Sequence, residues 1–163
     1  MREGDDSGAG APPEIAFRSL QPADFPMLRA WLGRPHLKRW WDMHDATLNQ
    51  VAASFTRNPA TTWRFVASEA GVDIGYFQYW REPEGAGVDQ FLADPDRLGQ
   101  GLGTRALTGF LAHLAGLGMG DRVSVDPHPK NRPAIRCYEK CGFVHDPHRS
   151  TAEVYFMDRP LRG

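Results

Sequence analysis

The stretch Leu98-Gly99-Gln100-Gly101-Leu102-Gly103-Thr104 alternates glycine with larger residues between two contrasting neighbours. After it, Leu102, Ala106, Leu107, Phe110, Leu111 and Leu114 recur at three- and four-residue steps. That is the period of a long helix with one apolar face. Before it, Val88–Ala93 reads as a strand and Asp94–Gln100 as a polar loop. A loop with little Cβ bulk lets backbone N–H groups approach a ligand, and the helix start adds about half a positive charge. Such a place suits an anion, and a pyrophosphate in particular. A Walker A loop is excluded because no Gly-Lys-Ser/Thr is present. A dinucleotide fingerprint fits Gly99 and Gly101, but Thr104 stands where its third glycine belongs. Asp126 also lies beyond the distance of ~20 residues usual for a ribose-binding acid. A plain helix cap remains the bland alternative.

Outward from this loop the pattern is mixed. Ile15–Leu20 suits a short strand; Asp24–Leu32 and Asp45–Phe55 suit helices, with a short aromatic and basic stretch, His36–Asp42, between them. Thr61–Ser68 and Asp73–Trp80 are rich in β-branched and aromatic residues and flank a Gly turn, a hairpin signal. Arg81–Gly87 reads as a second turn before the strand Val88–Ala93. Arg122–Val125 reads as a strand, Asn131–Lys140 as a helix, and Phe143–His145 and Val154–Met157 as closing strands. Early strands should pair antiparallel, and the β-α-β unit through the long helix should make a parallel neighbour.

The chain has 163 residues, enough for one sizeable core. With 19 Lys+Arg against 20 Asp+Glu it has no global basic field, so no nucleic-acid partner is expected. No apolar run approaches the roughly 20 residues needed to span a bilayer, so no membrane partner is expected either. Residues 1–13 are Gly- and Pro-bearing with little apolar content, and read as a disordered tail ahead of one domain at 14–163. Two cysteines are too few for a disulfide framework, which makes a cytoplasmic setting the expectation. Cys137, Cys141, His145 and His148 form a metal-like string. It runs from a helix through a glycine stop into a strand, with none of the spacer of about a dozen residues found in zinc fingers, so no metal site is expected.

Downstream, Asn131 is followed by Ala134, Tyr138 and Gly142-Phe143. Ala134, Tyr138 and Cys141 share one helical face, with Ala134 leaving room and Tyr138 projecting a hydroxyl. Together with the glycine loop in the preceding β-α unit, this motif resembles the GNAT superfamily of acetyl-CoA-dependent N-acetyltransferases. Within it, Gly87-Val88-Asp89-Gln90-Phe91-Leu92-Ala93, the loop, Val125-Asp126-Pro127 and Ala134–Lys140 are similar to the aminoglycoside 6'-N-acetyltransferases, as is His36–Trp41. One departure is Leu98, where the wider superfamily has Gln or Arg.

The resemblance implies an α/β fold: a central mixed sheet, flanked by helices, whose two parallel strands splay apart. It implies that acetyl-CoA lies in the V between Val88–Ala93 and Arg122–Val125. Backbone groups of Phe91, Leu92 and Ala93 would pair with its pantetheine arm. Leu98, Gly99, Gln100, Gly101, Leu102, Gly103 and Thr104 would hold the pyrophosphate, and Asn131 and Ala134 would line the arm. An amine would attack the thioester directly, with orientation supplying much of the rate and the N–H near Leu92 serving the oxyanion. Asp89 would position the amine first and act as base second, since an ordinary Asp has a pKa near ~3.9. Tyr138 would protonate the leaving thiolate. For a cationic aminosugar, Asp42, Glu82, Glu84, Asp89 and Asp126 would supply negative charge, and Trp40 and Trp41 would stack on sugar faces. Other amine acceptors, or a non-catalytic acyl-CoA-binding module, remain open. A monomer or homodimer is the expected assembly.

Overall fold

The computed structural model describes residues 10–162. Its strands are β1 (Ile15–Ser19), β2 (Thr62–Glu69), β3 (Val72–Glu82), β4 (Gly85–Leu92), β5 (Arg122–Val125), β6 (Val144–His145) and β7 (Met157–Pro160). They form one sheet in the order β1-β2-β3-β4-β5-β7-β6. Only the β4–β5 junction is parallel. The helices are α1 (Phe25–Leu32), α2 (Pro35–Lys38), α3 (Leu48–Ser54), α4 (Leu102–Gly116) and α5 (Arg132–Lys140). This is the mixed α/β sheet with flanking helices that the sequence leads one to expect.

Period-two alternation assigns each sheet face its own core. Phe65, Ala67, Phe77 and Leu92 pack with Leu107, Phe110 and Leu114 of α4 and with Ile135 and Tyr138 of α5. Val66, Tyr76, Phe91 and Ala93 point the other way, onto Leu28, Trp31 and Leu32 of α1, Leu37 of α2 and Val51 of α3. Burying each such side chain contributes about 1.5–3 kcal/mol. The two layers therefore clamp the sheet from both sides and fix what lies at its centre.

Several boundaries differ from the sequence reading. The second turn is not Arg81–Gly87: β3 runs on to Glu82 and β4 starts at Gly85, with Glu82 paired to Gly85. Pro83 and Glu84 alone make the reversal, because cross-strand pairing continues through polar residues that composition marks as loop. The last strand is Met157–Pro160 rather than Val154–Met157; Ser150 accepts the Phe156 N–H on its hydroxyl, which ties the preceding segment back on itself. Phe143 is core rather than strand. Helix α3 starts at Leu48, where Thr47 and Gln50 form a reciprocal capping box. Of the expected tail, residues 1–9 lie outside the described residues, while Pro13 accepts a hydrogen bond from Arg105 at 3.1 Å. No helix among the described residues is long and apolar enough to cross a membrane.

Candidate active site

Gly99 and Gly101 adopt φ of +75° and +79°, a left-handed backbone that glycine enters without steric cost. A Cβ built on either meets nothing within 4 Å, so this side of the loop is open. Gly101 caps α4, a helix of 15 residues, so the loop's amides gather at a full-length helix start. Leu98 is exposed, and Gln100 donates to the Asp96 carbonyl at 2.9 Å. The Leu102 side chain is buried in the core, leaving only its backbone for a ligand. At Gly103 the first turn of α4 passes close to Cys137 and Leu92. Thr104 donates to the Cys137 sulfur at 3.8 Å.

Strands β4 and β5 share a single paired position, Gly87 with Ser124. Ser124 Oγ donates to the Ala86 carbonyl at 3.1 Å and closes the narrow end. Beyond it the strands diverge, and alternation along β4 turns the backbone groups of Gln90 and Leu92 into the gap. The Gln90 N–H is taken by Asp89 Oδ1 and the Leu92 carbonyl by His36, which leaves the Gln90 carbonyl and the Leu92 N–H as the strand-edge groups that call for a partner. The gap therefore fits an extended, amide-bearing arm whose phosphates reach the glycine loop, as acetyl-CoA provides. Of the three expected contacts, Phe91 faces Tyr76 of β3, and the Ala93 N–H is bound to the Ile74 carbonyl at 2.9 Å. The Ala93 carbonyl accepts from Arg34. Leu92 is thus the member of the trio whose N–H faces the gap. Its carbonyl accepts from His36 Nε2 at 2.8 Å, while His36 Nδ1 is buried without a partner. Asn131 caps α5, accepting from the Ala134 N–H at 3.4 Å, so both stand at the helix start.

Asp89 lies in mid-β4, partly accessible, with its Oδ1 accepting the Gln90 N–H at 2.9 Å. Burial pushes its carboxyl up to about 7, and the nearby negative charge of Asp126 adds to the rise. The environment thus brings this acid to a basicity that an ordinary aspartate lacks. Tyr138, buried in α5, accepts a hydrogen bond from Gln90 Nε2 at 3.0 Å. Burial holds its hydroxyl protonated well above the usual phenol range, with Asp89 contributing. Gln90 Oε1 is buried and unpartnered. Gln90 therefore ties the phenol to the strand that carries Asp89.

Below the β4–β5 junction lies a groove of about 290 Å3 lined by Glu82, Glu84, Asp126 and Asp158, with Trp80 and Arg149 among its walls. Arg122 pairs with Asp158 at 3.1 Å. Glu82, Glu84 and Asp126 have no ion-pair partner among the described residues. Asp42 does not join them: it lines a separate hollow with His44, Gln50 and Arg57. Trp41, half-buried, packs edge-on against the core, with ring centroids 5.0 Å from Phe91 and 6.1 Å from Tyr76. Trp40 instead meets His128 at 6.1 Å, bridging to the loop before α5. Sequence reasoning passed over Trp80 and Gln90. A Cβ on Gly87 would overlap the Trp80 ring, so glycine opposite tryptophan across the hairpin was the available signal. Gln90 offered none, because only the sheet brings it to Tyr138. Among the described residues, no three His, Cys, Asp or Glu side chains are grouped to hold a metal ion.

A model of the acetyltransferase (GNAT) domain matches residues 21–151. Aminoglycoside N(6')-acetyltransferase type 1 of Klebsiella pneumoniae is 32% identical over 152 residues, covering 79% of this chain and 73% of its own length. Lysine N-acyltransferase MbtK of Mycolicibacterium paratuberculosis is 27% identical over 172 residues, covering 91% of this chain and 75% of itself. Among solved structures, aminoglycoside acetyltransferase AAC(6')-Ib in complex with coenzyme A superposes with a TM-score of 0.80 at 27% identity, covering 90% of this chain and 95% of that one.

Proposed function

The chain belongs to the GNAT acetyltransferase family, an acetyl-CoA-dependent acyltransferase acting on an amine, and from that premise we propose that its acceptor is an aminoglycoside acetylated at the 6'-amine. Acetylation there would remove a cationic centre from the antibiotic and so confer resistance. The observation that carries this reading is the groove in which Glu82, Glu84 and Asp126 stand unpaired beside the Trp80 wall. Such a groove suits a polycationic ring system, since carboxylates hold ammonium groups and the indole covers an apolar sugar face. The resemblance to aminoglycoside acetyltransferases in sequence and in structure supports it.

Acetyl-CoA supplies the activated acetyl group. The amides from Leu98 to Thr104 would hold its pyrophosphate, and the Gln90 carbonyl and Leu92 N–H would hold its arm and the thioester at the arm's end. An amine attacks only when neutral. Asp89, with its carboxyl pushed up to about 7, would accept the ammonium proton, which an aspartate at 3.8 does poorly. The Leu92 N–H would donate to the developing oxyanion. Tyr138 Oη, held by Gln90, would deliver its proton to the departing sulfur in concert with bond breaking. Asp89 is then base and positioning group together, a larger role than its ordinary pKa would allow.

The test is thiol release from acetyl-CoA with kanamycin, spermidine and lysine as separate acceptors. Turnover at least tenfold more efficient with kanamycin supports the aminoglycoside reading; preference for another amine refutes it. A second reading has its own observation. The Arg149 guanidinium lies 3.8 Å over the Phe156 ring, faces the groove and pairs with no carboxylate among the described residues. That favours an acceptor with a carboxylate as well as an amine, such as a lysine, and lysine would then be preferred in the same assay. Tight CoA binding with no transfer to any amine would replace both by a binding module.

A further inference from the structure

We propose that Glu69 is a positioning residue that holds the glycine loop in its anion-binding arrangement by gripping an arginine on either side of it. The inference rests on the reading of that loop as the CoA pyrophosphate site. Glu69 ends β2, far from the loop in sequence, with its side chain only 10% exposed. Its Oε1 accepts from Arg97 Nη2 at 2.7 Å. Its Oε2 accepts from Arg105 Nη2. Arg97 ends the short turn Pro95–Arg97, directly before Leu98, and Arg105 sits in the first turn of α4, directly after Thr104. One carboxylate therefore pins both ends of the segment that carries Gly99 and Gly101. Arg105 first, then Arg97, hold the Glu69 carboxyl below the usual range, so the clamp is charged at neutral pH.

The loop needs such a clamp for a physical reason. Its two left-handed glycines face open space and restrain little of the backbone themselves. Leu102 anchors the loop's middle by burial, but neither end has a buried side chain of its own. Charge-assisted bonds from a largely buried carboxylate are stronger than exposed ion pairs. Without the clamp the loop would spend part of its time in other arrangements, and apparent affinity falls by the fraction that remains competent.

The experiment is calorimetric titration of CoA into the full chain and its Glu69→Gln, Arg97→Gln and doubly substituted forms, with steady-state kinetics alongside. Glu69→Gln should raise the CoA Kd about tenfold, the loss expected if the loop is competent about a tenth of the time. The KM for acetyl-CoA should rise in parallel, while kcat at saturating acetyl-CoA stays within about twofold, as for loss of uniform binding. Arg97→Gln should weaken binding less, and the double variant should be no weaker than Glu69→Gln, because the two changes break one contact. Unchanged or tighter CoA binding in Glu69→Gln overturns the proposal, as do additive losses or a fall in kcat. Should Glu69→Gln fail to fold, unchanged CoA affinity in Arg97→Gln overturns it equally. Failure of the unsubstituted chain to bind CoA overturns the loop assignment itself, a result distinct from normal binding with an indifferent Glu69.

Discussion

Replacing Asp89 by Asn should cost activity and gain stability, and the gain should depend on pH. The Asp89 carboxyl is raised from 3.8 to about 7, burial being the larger cause and the Asp126 charge the smaller. At about 1.36 kcal/mol per pKa unit, the ionised form is disfavoured in the folded state by about 4 kcal/mol. Well below pH 4 the group is neutral folded or unfolded, and nothing is lost. As pH rises toward 7 the unfolded chain ionises first, so its acid's contribution to stability drains away; above 7 the deficit is constant. Asparagine cannot ionise and its carbonyl can still accept the Gln90 N–H. Partial solvent access reduces the gain at pH 8 to about 1–3 kcal/mol, or several degrees of Tm in a domain of this size. At pH about 3, below the ordinary value, the two melting temperatures should agree. In the same protein kcat/KM should fall about 10²- to 10⁴-fold, the usual worth of a general base. The profile of the unsubstituted enzyme should rise through pH about 7. Differential scanning calorimetry at the two pH values and a thiol-release assay make the pair of measurements. Full turnover in Asp89→Asn, an acidic limb near pH 4, or no stabilisation at pH 8 would refute the reasoning.

Tyr138→Phe should lower kcat about 10- to 100-fold and lower Tm by a few degrees, because the ring keeps its packing at 5.6 Å from Phe143 while Gln90 Nε2 loses its acceptor; stopped-flow thiol release and calorimetry check it. Gly101→Ala places a Cβ at φ +79° and should cost about 1–2 kcal/mol locally, raising the CoA Kd several-fold by titration. For kanamycin, kcat/KM should drop as NaCl rises from about 50 to 500 mM, since the Debye length shrinks several-fold over that range. Indifference to salt would argue against the acidic groove.

What the sequence discloses follows the range of its signals. The six apolar positions of α4 recur within one helix, so period alone located it, and all six are buried. The glycines mark their own left-handed turns. Features that depend on pairing across the sheet were hidden. Glu82 and Gly85 look like loop by composition, yet they form the last pair of the β3–β4 hairpin. Trp40 and Trp41 are identical neighbours in sequence and both half-buried, and only the packing of Trp41 on Phe91, against that of Trp40 on His128, tells them apart. Asp42 lies next to them but faces another hollow. The basicity of Asp89 comes from burial and from Asp126, 37 positions downstream, and no local pattern reports it. Gln90 and Glu69 are unremarkable residues whose partners are fixed only by the assembled sheet.

The most direct test of the account is a crystal structure of the chain with coenzyme A. The predicted result is an arm lying between Val88–Leu92 and Arg122–Val125, bonded to Leu92, with its pyrophosphate on the amides from Leu98 to Thr104. A complex with the two strands zipped together past Gly87 and Ser124, or with the nucleotide bound elsewhere, would contradict it.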